Sequence, residues 1–260
     1  MSNNIRNEKA VKEQYADSDN LDIRIAIHQK YSVNKQGFGN WIFQQYELFE
    51  DCKILELGCG NGSMWSKDIK RLPNDCKLTL SDFSENMLAA AKKNVPAESG
   101  VNFEIIDIQN IPYDDNSFDI VIANMMLYHV PDLNKALSEV RRVLKPQGQF
   151  YCATYGENGI MEYLENLFAD MIGAEKRDKI FTLQNGGEIL SKYFLCVERR
   201  NCEDALEVTD VNDLADYIYS AGNMSKLGTL PQELIIERLT ATKQNGIIRI
   251  PKEYGMFISK

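Results

Sequence analysis

No stretch of this 260-residue sequence is long and apolar enough to cross a membrane as a helix. The longest apolar run, around Ile120 to Leu127, carries Asn124 inside it and falls far short of the ~20 residues a span needs, so no membrane partner is expected. The first twenty residues are polar and charged, with no apolar segment that could serve as a secretory leader. Histidine is scarce, with His28 and His129 alone, and none of the six cysteines forms a Cys-x-x-Cys pair. A Cys/His zinc site therefore has too few well-spaced ligands, and no metal is expected. Cys52, Cys59, Cys76, Cys152, Cys196 and Cys202 read as reduced structural thiols, which suits a cytoplasmic location. Positive charge is in deficit: 29 Lys and Arg stand against 38 Asp and Glu, a net charge of −9, and no basic run exceeds a pair. Nucleic-acid binders draw most of their affinity from phosphate neutralisation, so no nucleic-acid partner is expected.

What remains is an ordinary globular composition, 44% hydrophobic and 26% charged, in a chain long enough to bury a sizeable core. Residues 5–50 read as two or three amphipathic helices, broken near Asp17–Asp22 and Ser32–Gly39. From Cys52 the pattern turns to short apolar runs alternating with helical segments. The expected strands are Lys53–Leu57, Lys77–Ser81, Asn102–Ile106, Phe118–Ala123 and Gln149–Thr154. Between them fall helices at Ser63–Arg71, Ser84–Asn94 and Leu133–Leu144, the second opening on a Ser cap. This alternation predicts an α/β doubly wound parallel sheet. Beyond Thr154, helices are expected near 159–175, 186–193, 210–221 and 231–244. Strand-like segments lie at Phe194–Glu198, Gly246–Ile250 and Tyr254–Ser259.

The sharpest local signal is ILELGCGNG at 54–62, an apolar strand running into Gly58-x-Gly60-x-Gly62 with a helix directly after it. Glycine is needed where a turn demands left-handed backbone angles and a ligand lies against the main chain. The third glycine comes one residue too early for the Gly-x-Gly-x-x-Gly dinucleotide fingerprint, and no Gly-Lys-Ser/Thr follows to make a phosphate loop. Glu56, two residues before the first glycine, is poor company for phosphate and suits a cationic ammonium or sulfonium group. Asp82, twenty residues beyond Gly62, ends the second strand, where a carboxylate can accept from both hydroxyls of a ribose. Phe83 follows and can lie against an adenine ring.

The block 52–155 resembles the class I S-adenosylmethionine-dependent methyltransferases of the small-molecule, methyltransferase-11 type. The resemblance rests on ILELGCGNG at 54–62, LTLSDFSENML at 78–88, the segment Asp107 to Pro112, FDIVIANMMLYHVPD at 118–132 and LSEVRRVLKPQGQFYCATY at 137–155. Gln147 stands where glycine is frequent in the last of these. The resemblance implies a Rossmann-like, seven-stranded, mostly parallel sheet in three parts. These are an N-terminal helical cap (1–50), the cofactor-binding core (51–155), and a helical insert after the fifth strand with strands that complete the sheet (156–260).

Carried over by position, Gly58, Cys59 and Gly60 would face the methionine moiety of S-adenosylmethionine, and Glu56 its charged end. Asp82 would hold the ribose, Phe83 would border the adenine, and Asp107 with the Ile108 backbone would meet the adenine amino edge. Asn124 would approach the methionine carboxylate or amine. Residues 1–50 would form a mobile lid, with Tyr31 turned to the cofactor and Tyr15 to the acceptor. Phe168, Met171 and Phe181 are expected to wall the acceptor pocket.

Methyl transfer from a sulfonium, leaving S-adenosylhomocysteine, is an in-line displacement that depends chiefly on alignment. His129 is the candidate base and Tyr128 its neighbour in a catalytic or positioning role. The acceptor is expected to be a small organic molecule methylated on oxygen, nitrogen or sulfur. Asn124-Met-Met-Leu replaces the Asn-Pro-Pro-aromatic of base-flipping enzymes, and no Pro-Cys nucleophile occurs. A macromolecular acceptor or a catalytically silent cofactor-binding regulator is the alternative, and the oligomeric state is left open.

Overall fold

A computed structural model of the chain describes residues 19–173, 179–222 and 225–260, apart from the side chains of Asp19, Leu21, Asp22 and Glu98. Seven strands form one sheet: β1 (Lys53–Leu57), β2 (Lys77–Asp82), β3 (Asn102–Ile105), β4 (Phe118–Ile122), β5 (Leu144–Tyr155), β6 (Val197–Val208) and β7 (Ile248–Ser259). Their order is β3-β2-β1-β4-β5-β7-β6, with β1 to β5 parallel and β7 antiparallel to both β5 and β6. This is the expected doubly wound, mostly parallel sheet. Among the described residues no helix is long and apolar enough to cross a membrane.

The alternation of side chains along a strand sorts the core into two faces. Leu55 and Leu57 point to one, where they join Val121, Phe150 and Cys152 beneath helix α5 (Leu133–Val143), which supplies Leu137 and Val140. Ile54 points to the other, with Leu80, Ile120, Ile122 and Tyr151. That face is closed by α2 (Phe38–Phe43) and by Trp65 of α3 (Ser63–Asp68). Helix α4 (Glu85–Asn94) starts at Ser84, whose hydroxyl accepts from the Met87 amide, as its sequence predicts.

A third cluster lies over the distal halves of β6 and β7. Leu206, Val208, Ile248 and Ile250 pack there against α1 (Asp19–Tyr31), α6 (Ile160–Leu167), α9 (Val211–Ser220) and α10 (Gln232–Ala241). Two short helices, α7 (Ala169–Ile172) and α8 (Gly186–Leu190), lie between α6 and β6. The described N-terminal helices are thus divided between clusters, α1 in this one and α2 over the sheet.

Three strand expectations are corrected. Strand β5 begins at Leu144, and its register against β4 shifts between Phe118 and Ile120. The segment expected as strand only from Phe194 to Glu198 is a twelve-residue strand, Val197–Val208. The two short terminal segments are one strand despite Pro251. Strand β5 pairs only residues 254–259 of β7, so Pro251 lies where β7 has β6 as its single neighbour and the missing amide leaves no gap in a ladder on the other side.

Candidate functional site

The site is assembled where β1, β2, β3 and β4 end side by side, since Leu57 pairs with Ser81, Asp82 with Ile105 and Glu56 with Ile122. All three glycines of the turn are left-handed, at φ +72°, +56° and +69° for Gly58, Gly60 and Gly62. Their surroundings differ. A Cβ on Gly58 would meet Met126 Cγ at 2.9 Å, and one on Gly62 would meet Ala91 Cβ at 3.0 Å. A Cβ on Gly60 would meet nothing within 4 Å. The turn therefore closes onto its own fold at both ends and leaves its middle open, a cradle of the kind a ligand backbone contact requires.

Asp82 is buried, and its carboxylate accepts from the Gly60 amide at 2.9 Å and from the Ser84 amide at 2.9 Å, one on each oxygen. The Phe83 amide also pulls on the carboxylate, which keeps lone-pair capacity for a further donor. Burial pushes the Asp82 carboxyl above its ordinary value, against the pull of these amides. Glu56, also buried, lies on the α3 face of β1, where the Trp65 indole N–H donates to it. Desolvation raises its carboxyl to about 7, with the charge of Asp82 adding to the effect. Two neighbouring buried carboxyls beside an open backbone cradle suit a ligand that carries ribose hydroxyls and a positive charge. Cys59, between the glycines, has its thiol pushed upward by burial and by the same two acids.

Asn124 follows β4. Its Nδ2 donates to the Tyr46 hydroxyl at 2.7 Å and its Oδ1 accepts from the Ala153 amide at 3.2 Å, so the side chain is engaged within the protein. Met125 next to it is left-handed at φ +55°, a strained setting for a non-glycine residue at a sheet's ligand edge. Phe83 is half-buried, and Ile108 is buried. Asp107 is exposed and accepts from the Gln109 amide at 2.9 Å.

Tyr128 and His129 form a half-buried short turn with ring centroids 4.5 Å apart. Tyr128 also meets Tyr155 at 4.6 Å, and Tyr155 is paired in register with Tyr254 of β7. Tyr254 in turn contacts Phe38 at 5.0 Å and His28 at 5.8 Å. A track of half-buried aromatic rings thus leads away from the end of β4. His28 has its Nε2 at 3.4 Å from the Tyr254 hydroxyl, and its Nδ1 is buried without a hydrogen-bond partner. Burial, with the charge of Lys252, lowers the His28 imidazole to about 3, so it is neutral.

The structure brings Glu56, Gly58, Cys59, Gly60 and Asp82 together, with Phe83, Ile108 and Asn124 at adjoining strand ends. It does not bring Tyr31 to them. Tyr31 is buried in the third cluster and donates its hydroxyl to Asp213 of α9. Phe168 and Phe181 are fully buried core residues of two different clusters, whereas Met171 is exposed. Tyr15 lies outside the described residues. Trp65 and Tyr46, which engage Glu56 and Asn124, escaped the sequence reading. Trp65 could have been found, because it opens the helix after the turn on the same face as Glu56. Tyr46 sits in an irregular linker with no pattern to mark it.

The parallel core, the antiparallel seventh strand and the acid-flanked glycine turn make a doubly wound α/β fold with a ligand cradle at its strand ends. The Methyltransferase domain family matches residues 55–152. The chain is 38% identical over 110 residues to the ubiquinone/menaquinone biosynthesis C-methyltransferase UbiE of Rickettsia akari (strain Hartford), covering 40% of this chain and 44% of that one. It is 34% identical over 138 residues to the malonyl-[acyl-carrier protein] O-methyltransferase of Buchnera aphidicola subsp. Baizongia pistaciae (strain Bp), covering 53% of each. The matched segments thus span about half the length of these relatives. Among solved structures, the [4+2]-cyclase SpnF aligns over 96% of this chain and 95% of its own, with a TM-score of 0.59 and 16% identity. A Haloferax volcanii methyltransferase solved with the activator Trm112 aligns over 95% and 96%, with a TM-score of 0.58 and 19% identity. Residues 55–152 are thus similar to a methyltransferase domain, and the aligned structures share the fold of the chain.

Proposed function

We propose that this protein transfers the methyl group of S-adenosylmethionine to a small organic acceptor. The observation that carries the reading is the open cradle at Gly60, set between the buried carboxyls of Glu56 and Asp82. In this reading the Asp82 oxygens take the ribose hydroxyls and Phe83 borders the adenine, whose amino edge meets Asp107 and the Ile108 backbone. Gly58, Cys59 and Gly60 face the methionine moiety, and Glu56 balances its positive charge. Asn124 reaches it through the backbone, because its amide is already engaged by Tyr46 and Ala153.

The cofactor supplies an electrophilic methyl group. The protein's part is to hold the acceptor in line with it and keep water out. Tyr128 and His129, beside the end of β4, border the acceptor, with His129 able to take its proton. The half-buried rings of Tyr155, Tyr254 and Phe38 suit an acceptor with a flat apolar surface. Relatives are named for C-methylation in ubiquinone/menaquinone biosynthesis and for O-methylation of a malonyl group on acyl-carrier protein, so the methylated atom is left to experiment. Aligned structures include a cyclase, so the fold by itself does not select the reaction.

Incubation of the protein with methyl-labelled S-adenosylmethionine and fractionated metabolite extracts is expected to yield a labelled small molecule, identified by mass. Labelling confined to RNA or protein would overturn the proposal in favour of a macromolecular acceptor. Tight binding of S-adenosylhomocysteine without any turnover would favour a silent regulator.

A further inference from the structure

Cys52 and Cys76 lie at the opposite end of β1 and β2 from the cofactor cradle, each one residue before its strand. The register that pairs Lys53 with Lys77 places the two cysteines side by side, and the Lys77 amide donates to the Cys52 carbonyl at 2.9 Å. Their sulfur atoms are 3.0 Å apart, well inside ordinary non-bonded separation, although the residues are 24 positions apart in the chain. Both thiols are free. Cys52 is completely buried, whereas Cys76 is half-buried and donates its thiol to the Phe49 carbonyl at 3.1 Å. No other two cysteines of the described residues make a sulfur–sulfur contact, and Cys196 is exposed.

We propose that Cys52 and Cys76 form a peroxide-oxidisable dithiol that closes into a disulfide in the folded protein. Cys76, the more accessible thiol, attacks hydrogen peroxide as its thiolate. A sulfur–oxygen bond forms, the peroxide O–O bond breaks, and hydroxide leaves to give the Cys76 sulfenic acid. The Cys52 sulfur then gives up its proton and displaces the sulfenic oxygen as water. In sum, two thiols lose two electrons and two protons to one peroxide, which becomes two waters. The short sulfur–sulfur separation lets the second step proceed with little backbone movement, because neighbouring strands already hold the partners within disulfide range. Burial pushes the Cys52 thiol up to about 12, so it is not the group that meets peroxide first.

The crosslink would tie together the starts of the two strands whose far ends carry Glu56 and Asp82. Its effect is expected on stability and not on cofactor affinity, because the strand register is unchanged.

The test is to treat the native, reduced protein with limiting hydrogen peroxide, remove the peroxide, block free thiols with N-ethylmaleimide in denaturant, and record intact and peptide masses. The expected result is four labels in place of six, a loss of 2 Da, and a linked peptide joining Cys52 to Cys76, all reversed by dithiothreitol. The oxidised protein should melt about 5 °C or more above the reduced one, as closure of a loop of this length implies. A Cys76→Ser variant should form no such link. Six labels after treatment, or oxidation at Cys196 with Cys52 and Cys76 still labelled, would overturn the proposal.

Discussion

The indole N–H of Trp65 donates to the side-chain carboxyl of Glu56, and both residues are buried on the face of β1 that carries Ile54. That contact fixes where an acid can sit beside the glycine turn. It also satisfies one carboxyl oxygen whether or not the group is ionised, which makes the protonation state of Glu56 responsive to a bound charge.

The Glu56 carboxyl titrates near 7 in the folded protein against an ordinary 4.5. Between those values the folded state keeps a proton that the unfolded state releases. Stability from this group therefore falls as pH rises from 4.5 to 7 and is level above. Glu56→Gln should raise unfolding free energy above pH 7 by on the order of 3 kcal/mol, with little change at pH 4. Denaturant melts at both pH values check this.

A positive ligand favours the ionised carboxyl, so S-adenosylmethionine binding at pH 6.5 should release a proton. The calorimetric heat would then vary with the ionisation heat of the buffer. Binding should tighten as pH rises through 7, and Glu56→Gln should abolish both effects. Equal heats in all buffers for the unsubstituted protein would argue against charge balance by Glu56.

Asp82 carries structure as well as the proposed ribose contact. Asp82→Ala removes the acceptor of the Gly60 and Ser84 amides and should lower stability by about 1.5–3 kcal/mol for each charge-assisted bond lost. Asp82→Asn keeps one of the two and should fall between. Both should weaken S-adenosylhomocysteine binding at least tenfold. A folded variant with unchanged affinity would remove Asp82 from the site.

The glycines should separate by position. Gly62→Ala adds contact with Ala91 and Val95 to its left-handed strain and should be markedly destabilising. Gly60→Ala bears only the strain, about 1–2 kcal/mol, but fills the open cradle. It should fold and fail to bind cofactor. Thermal melts alongside calorimetry distinguish the two.

His129→Ala should lower kcat by about 10²–10⁴-fold if His129 takes the acceptor proton, with S-adenosylhomocysteine affinity preserved. A parallel loss of cofactor affinity would mark a positioning role instead. An unchanged kcat across pH 6–9 would mean that alignment suffices.

Lys252 and Asp204 form an ion pair with both side chains almost wholly buried, 1% and 2% exposed, and Lys252 also donates to the Ser32 hydroxyl at 2.7 Å. Lys252→Met strands a buried carboxylate and should cost about 3–5 kcal/mol. Adding Asp204→Asn, which keeps an acceptor for the Asn34 amide, should recover part of the loss. A full loss in the double variant would show that the Ser32 contact matters more than the pair.

What the sequence determined by itself is what depends on neighbours along the chain. Gly58, Gly60 and Gly62 must sit in a left-handed turn after an apolar strand, Ser84 must cap the helix after Asp82, and five short apolar runs must be parallel strands. Each of those signals is complete within about ten residues, because backbone angles and caps are local matters. The tertiary structure decided whatever rests on distant partners. Tyr31 is held in the third cluster, where its hydroxyl finds Asp213, 182 positions away. The charged segment Val197–Val208 became a full strand because β7 pairs with every residue of it, and no apolar alternation announces an edge strand rich in Glu, Arg and Asp. Pro251 was accommodated because β5 had already ended. The upward shift of the Glu56 carboxyl followed from its burial, with the Trp65 N–H pulling the other way, and a group's titration is set by what surrounds it in space.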